Sequence, residues 1–476
     1  MAAYKVNIGI EVHVQLTTKT KIFCSCANEI AEKPNSNICP ICAGHPGTLP
    51  VLNKQVVEYA VMAGLATNCS INQSNEFARK HYFYPDLPKG YQITQNDHPI
   101  CIDGHIPIRL EDGSTKNIRL IRIHMEEDAG KNIHAPFSNE SFVDLNRAGT
   151  PLLEIVTHPD ITSAYEARTY LKTLRQIIMS LNICSGNMEE GAFRADTNIS
   201  IRPEGSEKLG TKVELKNINS FKFISDAIEH EIERQAAMLD KGERIIQETR
   251  LWDTKEHKTI SMRSKEEAAD YRYFPDPDLP RIEISDEYIA AIKTAMPELP
   301  TTRLDRYIKQ GLTQYEADVL VDNLEVAHYY DAAAKHTQSK LLINWVLRDV
   351  MGFLKNEKVD IAHYKLTPEY CAELVNLLDL GVINNRSAQE VFQAASQTGA
   401  SPKTIVKERG LEQMGDTGEL ETIIKEIITN NPNQVTQFKA GNEKLLGFFV
   451  GQAMAKTKGR GNPELINSLI KKYLNS

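Results

Sequence analysis

The chain has 476 residues, 41% hydrophobic and 25% charged, which excludes wholesale disorder and predicts about three domains at ~150 residues each. Fifty-five Lys and Arg against 63 Asp and Glu leave a net charge of −8; this argues against a protein that coats nucleic acid non-specifically, because such binding runs on positive charge. No apolar run approaches the ~20 residues that span a bilayer as a helix, so no membrane role is expected.

Residues 4–16 alternate: Tyr4, Val6, Ile8, Ile10, Val12, Val14 and Leu16 point one way, and Lys5, Asn7, Gly9, Glu11, His13 and Gln15 the other. Period 2 predicts a strand with one buried face, most often in an antiparallel sheet. Lys5 and Glu11 also interrupt what would be the apolar region of a secretory leader, so the N-terminus reads as mature structure in the cytoplasm. Helical spacing follows at Val56, Val57, Ala60, Val61 and Gly64. Alternation returns around Arg119–Glu126, in Arg194–Ile201 and briefly in 212–216. Ser163 and Glu166 form a capping box ahead of Leu171, Leu174, Ile178 and Leu181, and a further helix is predicted from about Phe221 to Asp240.

The texture changes at Pro275, Pro277, Pro280, Pro297 and Pro300. Beyond Thr301 strand alternation disappears, and helices such as Leu341–Leu354 and Pro368–Leu380 follow one another. In the last, Asn462 caps, Pro463 takes the first helical position, and Leu465, Ile466, Leu469, Ile470, Tyr473 and Leu474 share one face. The expected class is α+β: an N-terminal domain of mainly antiparallel sheet over 1–295, an all-helical domain over 296–410, and a small helical tail over 411–476. No internal repeat is visible.

Eight cysteines are too sparse for a disulfide scaffold, yet four lie between Cys24 and Cys42. Cys24-x-Cys26, twelve residues, and Cys39-x2-Cys42 offer two chelating pairs joined by a loop with Pro34, Asn35 and Pro40. Tetrahedral Zn²⁺ takes four thiolates of this kind, and with no open position its role is structural. Glu11 and His13 share the polar face of the first strand. A second acidic site, His124-Met125-Glu126-Glu127-Asp128, ends another alternating segment, and Glu154 interrupts the apolar run Leu152–Val156, where a charge must be paired or metal-bound. Carboxylates with one imidazole suit a hard dication such as Mg²⁺ and thereby phosphoryl transfer; the bland alternative for Glu126–Asp128 is a solvated acidic turn. Arg194 and Asp196 are candidates on the same logic. A phosphate-binding G-x-x-x-x-G-K-[ST] loop, H-E-x-x-H, G-x-S-x-G and G-x-G-x-x-G are all absent. From Gln434 onward seven Lys and Arg face two acids, +5 on a chain of −8. Lys456, Lys458 and Arg460 form a basic loop fit for phosphates, although Lys471 and Lys472 sit where a helix C-terminus favours cations anyway.

Ordered motifs run along nearly the whole chain: IGIEVHVQL at 8–16, the cysteine pairs, KHYFYPDLPKGYQITQ at 80–95, HMEEDAGK at 124–131, DLNRAGTPLLEIV at 144–156, MEEGAFRADTNIS at 188–200, VELKNINSF at 213–221, DYRYFPDPDLP at 270–280 and LGFFVGQAMAKTKG at 446–459. Together they resemble the B subunits of glutamyl/aspartyl-tRNA amidotransferases, the GatB family. The resemblance implies a cradle-shaped catalytic domain, a helical domain and a tail that contacts tRNA. It implies ATP-dependent phosphorylation of the side-chain carboxylate of Glu-tRNA(Gln) or Asp-tRNA(Asn), followed by amidation with ammonia from a glutaminase A subunit in a heterotrimer with a small C subunit; DNA has no part in this. Carried over by position, Glu11, His13, Glu127 and Glu154 match the Mg²⁺ motifs, with Glu126 adjacent and Arg194 and Asp196 in the RxDxNxS strand. Two other classes compete: a zinc-held, non-catalytic tRNA scaffold, and a free-standing ATP-dependent ligase for a small acid. Acids on strand faces speak against the first, and the basic tail against the second.

Overall fold

The computed structural model describes residues 4–29, 31–134, 140–264, 270–413, 417–457 and 460–475. The chain divides into two compact units at Thr302 and Arg303. The division lies beyond the proline-rich passage because Met296 and Leu299 still pack on the first unit's core, whereas Tyr307 is buried in the second's.

In the first unit the elements that matter are β1 (Tyr4–Gln15), α1 (Lys54–Ala66), β2 (Ala78–His81), β3 (Tyr91–Thr94), β4 (Thr115–Glu127), β5 (Pro151–Thr157), α2 (Ala164–Ser180), β6 (Phe193–Pro203), β7 (Val213–Lys216) and α3 (Phe221–Asp240). A ten-stranded sheet has the central order β7-β6-β1-β5-β4, every neighbour antiparallel; a parallel pairing joins β7 to Glu248–Asp253. Ile8, Ile10, Val12 and Val14 of β1 are fully buried and join Leu171, Leu174 and Ile178 of α2 and Ile224 and Ile228 of α3 in one core. Strict alternation therefore leaves the polar residues of β1 on the opposite face. A separate three-stranded sheet sets β2 between β3 and Phe274–Pro275.

Ser163 accepts from Glu166 N–H at 3.1 Å, as the capping box requires. Glu166 itself departs from that pattern: its carboxylate accepts from Thr162 N and from Lys116, each at 2.8 Å. Ser163→Ala should cost about 1 kcal/mol, read as a lowered midpoint in urea with an unchanged slope.

The second unit is helical among the described residues and contains two apolar cores, one drawn from Tyr307 to Val406 and one from Leu420 to Leu474. The helix expected over Leu341–Leu354 is interrupted by a π-helical segment, Trp345–Val350, which 3.6-residue periodicity does not announce. In the last helix, Pro463–Asn475, Asn462 Oδ1 accepts from Glu464 N at 2.9 Å. No helix among the described residues is long and apolar enough to cross a membrane.

Candidate active site and metal centre

Antiparallel register decides which polar residues meet. His13 of β1 stands opposite Glu154 of β5 on one side and Arg194 of β6 on the other, and Glu154 stands opposite His124 of β4. Directly opposed residues share a face, and period 2 along β4 adds Glu126 to the same face. Four side chains from three adjacent strands thus converge. His13 Nε2 lies 3.4 Å from Glu154 Oε2 and 3.6 Å from Glu126 Oε1. His124 Nε2 lies 3.4 Å from Glu154 Oε2 and 3.7 Å from Glu126 Oε2. Thr94 donates to Glu126 at 3.2 Å.

Both carboxylates are buried, at 2% exposure for Glu126 and 8% for Glu154. Among the described residues no Lys or Arg pairs with either. Burial opposes ionisation of Glu154, but His124 and His13 reverse that and hold its carboxyl well below the usual range. Burial likewise disfavours protonated His124, and Glu154 and Glu126 overcome it, raising the imidazole to about 9. Arg122 Nε lies 3.2 Å from His124 Nδ1. The two buried carboxylates therefore rely on two imidazoles for counter-charge, and both rings are shifted toward their protonated form. The donor atoms of His13, Glu126 and Glu154 all lie within 4.8 Å of one another, and that set fits a divalent cation.

The other expected ligands lie nearby but not in this cluster. Glu11 is opposite Asp196, where Asn198 donates to it at 3.0 Å; burial, with Glu154 and Asp196 close by, raises its carboxyl pKa. Asp196 is paired with Lys216 at 3.0 Å, and Lys216 also reaches Glu214 at 3.3 Å. Arg194 grips Asp128 at 3.0 Å, as does Gln15. Glu127 points to the opposite face of β4, where it is ion-paired with Lys89 and accepts from Ile93 N at 2.9 Å. The expected set Glu11, His13, Glu127 and Glu154 is therefore assembled only in part: His13 and Glu154 meet, and Glu126 rather than Glu127 completes the group. His124, quoted in its motif but absent from that set, belongs with them.

Glu127 and Lys89 instead line a cavity of about 440 Å³ that also touches Cys24 and Cys42. The Sγ atoms of Cys24, Cys26, Cys39 and Cys42 lie within 4.8 Å of one another, and all four cysteines are free. Cys42 Sγ is 3.9 Å from Cys26 Sγ and 3.8 Å from Cys39 Sγ, close to the ~3.8 Å edge of a tetrahedron with 2.3 Å metal–sulfur bonds. Cys39 N–H donates to Cys42 Sγ at 3.1 Å, and buried Lys21 sits 3.8 Å from the same sulfur. The Cys24 thiol, helped by Cys39 N–H and Lys21, overcomes burial and pulls Cys42 down to about 4. Gly44, at φ +70, packs where an added Cβ would lie 2.8 Å from Lys89 Cγ, so the knuckle after Cys42 abuts the Lys89 segment.

In the tail, Lys456 is paired with Glu426 at 2.5 Å and Arg460 donates to Gly410 O at 3.3 Å; Lys458 lies outside the described residues.

Two family models match, the GatB/GatE catalytic domain over residues 6–290 and the GatB domain over residues 328–474. A protein of Persephonella marina, named as the B subunit of an aspartyl/glutamyl-tRNA(Asn/Gln) amidotransferase, is 52% identical over 470 residues, 98% of each chain. One of the same name from a Geobacter species is 54% identical over 476 residues, 99% of each. With both models and full-length similarity in agreement, the chain belongs to the GatB family of tRNA amidotransferase B subunits.

Proposed function

We propose that this chain is the carboxylate-activating subunit of a tRNA-dependent amidotransferase, working on glutamate or aspartate esterified to tRNA(Gln) or tRNA(Asn). One observation carries the reading: β1, β4 and β5 bring His13, Glu126 and Glu154 to one point on a polar sheet face. A side-chain carboxylate oxygen attacks the γ-phosphorus of ATP, the bond to the β-phosphate breaks, and ADP leaves. Ammonia then attacks the carbonyl carbon of the acyl phosphate; the carbon–oxygen bond breaks, inorganic phosphate departs, and the nitrogen gives a proton to water. The nucleophile is already ionised, so no strong general base is needed. His13 serves as ligand, and His124 holds Glu154 in place. Bound by His13, Glu126 and Glu154, Mg²⁺ supplies charge neutralisation for phosphoryl oxygens. Glu11, Asp196 and Lys216 extend the polar face and Arg194 anchors Asp128 beside it, which suits them to orienting the substrate.

The cysteine cluster takes one structural Zn²⁺. A glutaminase A subunit supplies ammonia and a small C subunit completes the heterotrimer, in the cytoplasm. The tail from about residue 411 binds tRNA. Replacing Lys456, Lys458 and Arg460 by Glu should weaken tRNA binding, and each lost phosphate contact should flatten the salt dependence by ~0.7–0.9 in log–log slope. Unchanged affinity and slope would return these residues to the ion pairing seen for Lys456.

ADP release by the assembled heterotrimer tests the main reading, measured with misacylated tRNA, with uncharged tRNA and with neither. Release should require misacylated tRNA and disappear in His13→Ala. A His13→Ala complex that cleaves ATP at the parent rate would place the chemistry elsewhere.

A further inference from the structure

Three cations come from the small sheet beside the site and its connecting loop, and two of them are engaged. Arg79 of β2 pairs with Asp276 at 2.9 Å and Asp278 at 2.8 Å, and Lys89 pairs with Glu127. Lys80 differs. Its side chain, half-buried, makes no hydrogen bond or ion pair among the described residues; its ammonium lies 4.9 Å from the ring centre of Tyr271 and 5.9 Å from that of Tyr82. Register places Lys80 opposite Gln92, which accepts from Tyr82 at 3.4 Å. Period 2 along β3 puts Thr94 on that same face, and Thr94 bonds Glu126. Lys80 therefore projects from the face of the small sheet that abuts the His13, Glu126 and Glu154 cluster.

Ring contacts orient an ammonium but leave its three N–H donors unused, and a strongly hydrated lysine is rarely sheltered without an anion. Burial opposes its charge, while Glu126, Tyr273 and Glu154 more than restore it, so Lys80 stays protonated. Glu126 and Glu154 are not within pairing distance, and a bound dication would satisfy both. What remains is a fixed positive charge with free donors facing the metal-binding group, walled by tyrosines.

We propose that Lys80 is a catalytic residue of this chain, gripping an oxygen of the γ-phosphoryl group as that group passes from ATP to the carboxylate. The inference rests on the reading of the site given above. An ammonium placed here favours the triphosphate over the diphosphate and follows the phosphoryl group into the acyl phosphate, where it continues to neutralise charge.

Equilibrium binding of ATPγS and of ADP to the assembled heterotrimer with Mg²⁺ tests it. Lys80→Met should reduce the preference for ATPγS over ADP by about 10- to 100-fold, the equivalent of one charge-assisted hydrogen bond, with ADP affinity unchanged. Reductive methylation of the parent complex needs no variant: ATPγS with Mg²⁺ should protect Lys80 and ADP should not. If Lys80→Met keeps the preference, or both nucleotides protect Lys80 equally, the ammonium serves only as a counter-charge to the carboxylates and the proposal falls. Failure of the parent complex to bind either nucleotide would instead overturn the reading of the site, and this inference with it.

Discussion

Glu126→Gln should lower ADP release with misacylated tRNA by about three orders of magnitude, some 4 kcal/mol of transition-state stabilisation, while Glu127→Gln costs stability instead. The two residues are adjacent, but a strand sends successive side chains to opposite faces. Glu126 faces His13, His124 and Thr94, and the amide isostere removes one of two buried negative charges from the ligand set. Glu127 faces Lys89, whose side chain is 15% exposed; deleting its charge leaves a sheltered ammonium unpaired, a loss of about 3–5 kcal/mol. ADP release and thermal unfolding of the same two complexes separate the roles. Glutamine hydrolysis by the partner should persist in both, provided the complex assembles. A Glu127→Gln complex of parent stability but without ATP cleavage, beside an active Glu126→Gln complex, would exchange the two assignments.

Zinc removal or Cys39→Ser should unfold the segment from about residue 20 to 50 while the sheet core survives. Structural zinc contributes about 10–16 kcal/mol in zinc-finger peptides. Ile22 and Phe23 anchor the start of the segment in the core, but beyond them Cys42 is buried while the other three cysteines are only partly so, and exposed Leu49 and Val51 follow them. Most of the core, including Ile8, Ile10, Leu171 and Ile224, lies outside the segment. Metal analysis should find one zinc per chain, and hydrogen exchange after chelation should accelerate in the loop before the strands. Cys24 and Cys42 line the same cavity as Lys89 of the loop before β3 and Glu127 of β4. A zinc-free chain with four freely titrating thiols and a protected loop would contradict the assignment.

Local patterns made the strands legible. Alternation in β1 and β6 marked both the buried and the polar face, and caps at Ser163 and Asn462 marked helix starts, because these signals are carried by residues a few positions apart. Pairing order was not legible: that β1 lies between β5 and β6 depends on chain closure over more than a hundred residues. The choice of Glu127 over Glu126 is instructive, since period 2 through Arg122, His124 and Glu126 already placed Glu126 on the histidine's face. Motif position prevailed there over strand geometry. Lys80 and Thr94 fall inside the motif at 80–95, but the motif does not say what they face, because that arises only when a second, small sheet packs on the first.

On the proposed mechanism, a carboxylate oxygen of the aminoacyl group bonds to the γ-phosphorus in the site of this chain. Misacylated tRNA labelled with ¹⁸O in its side-chain carboxylate tests this most directly, in heterotrimers carrying the parent chain or Glu126→Gln. If an acyl phosphate forms and is cleaved by ammonia at its carbon–oxygen bond, the parent should release inorganic phosphate bearing one ¹⁸O atom per amide formed, and the Glu126→Gln complex should release almost none. Label in AMP, unlabelled phosphate from the parent, or full transfer by Glu126→Gln would contradict the account.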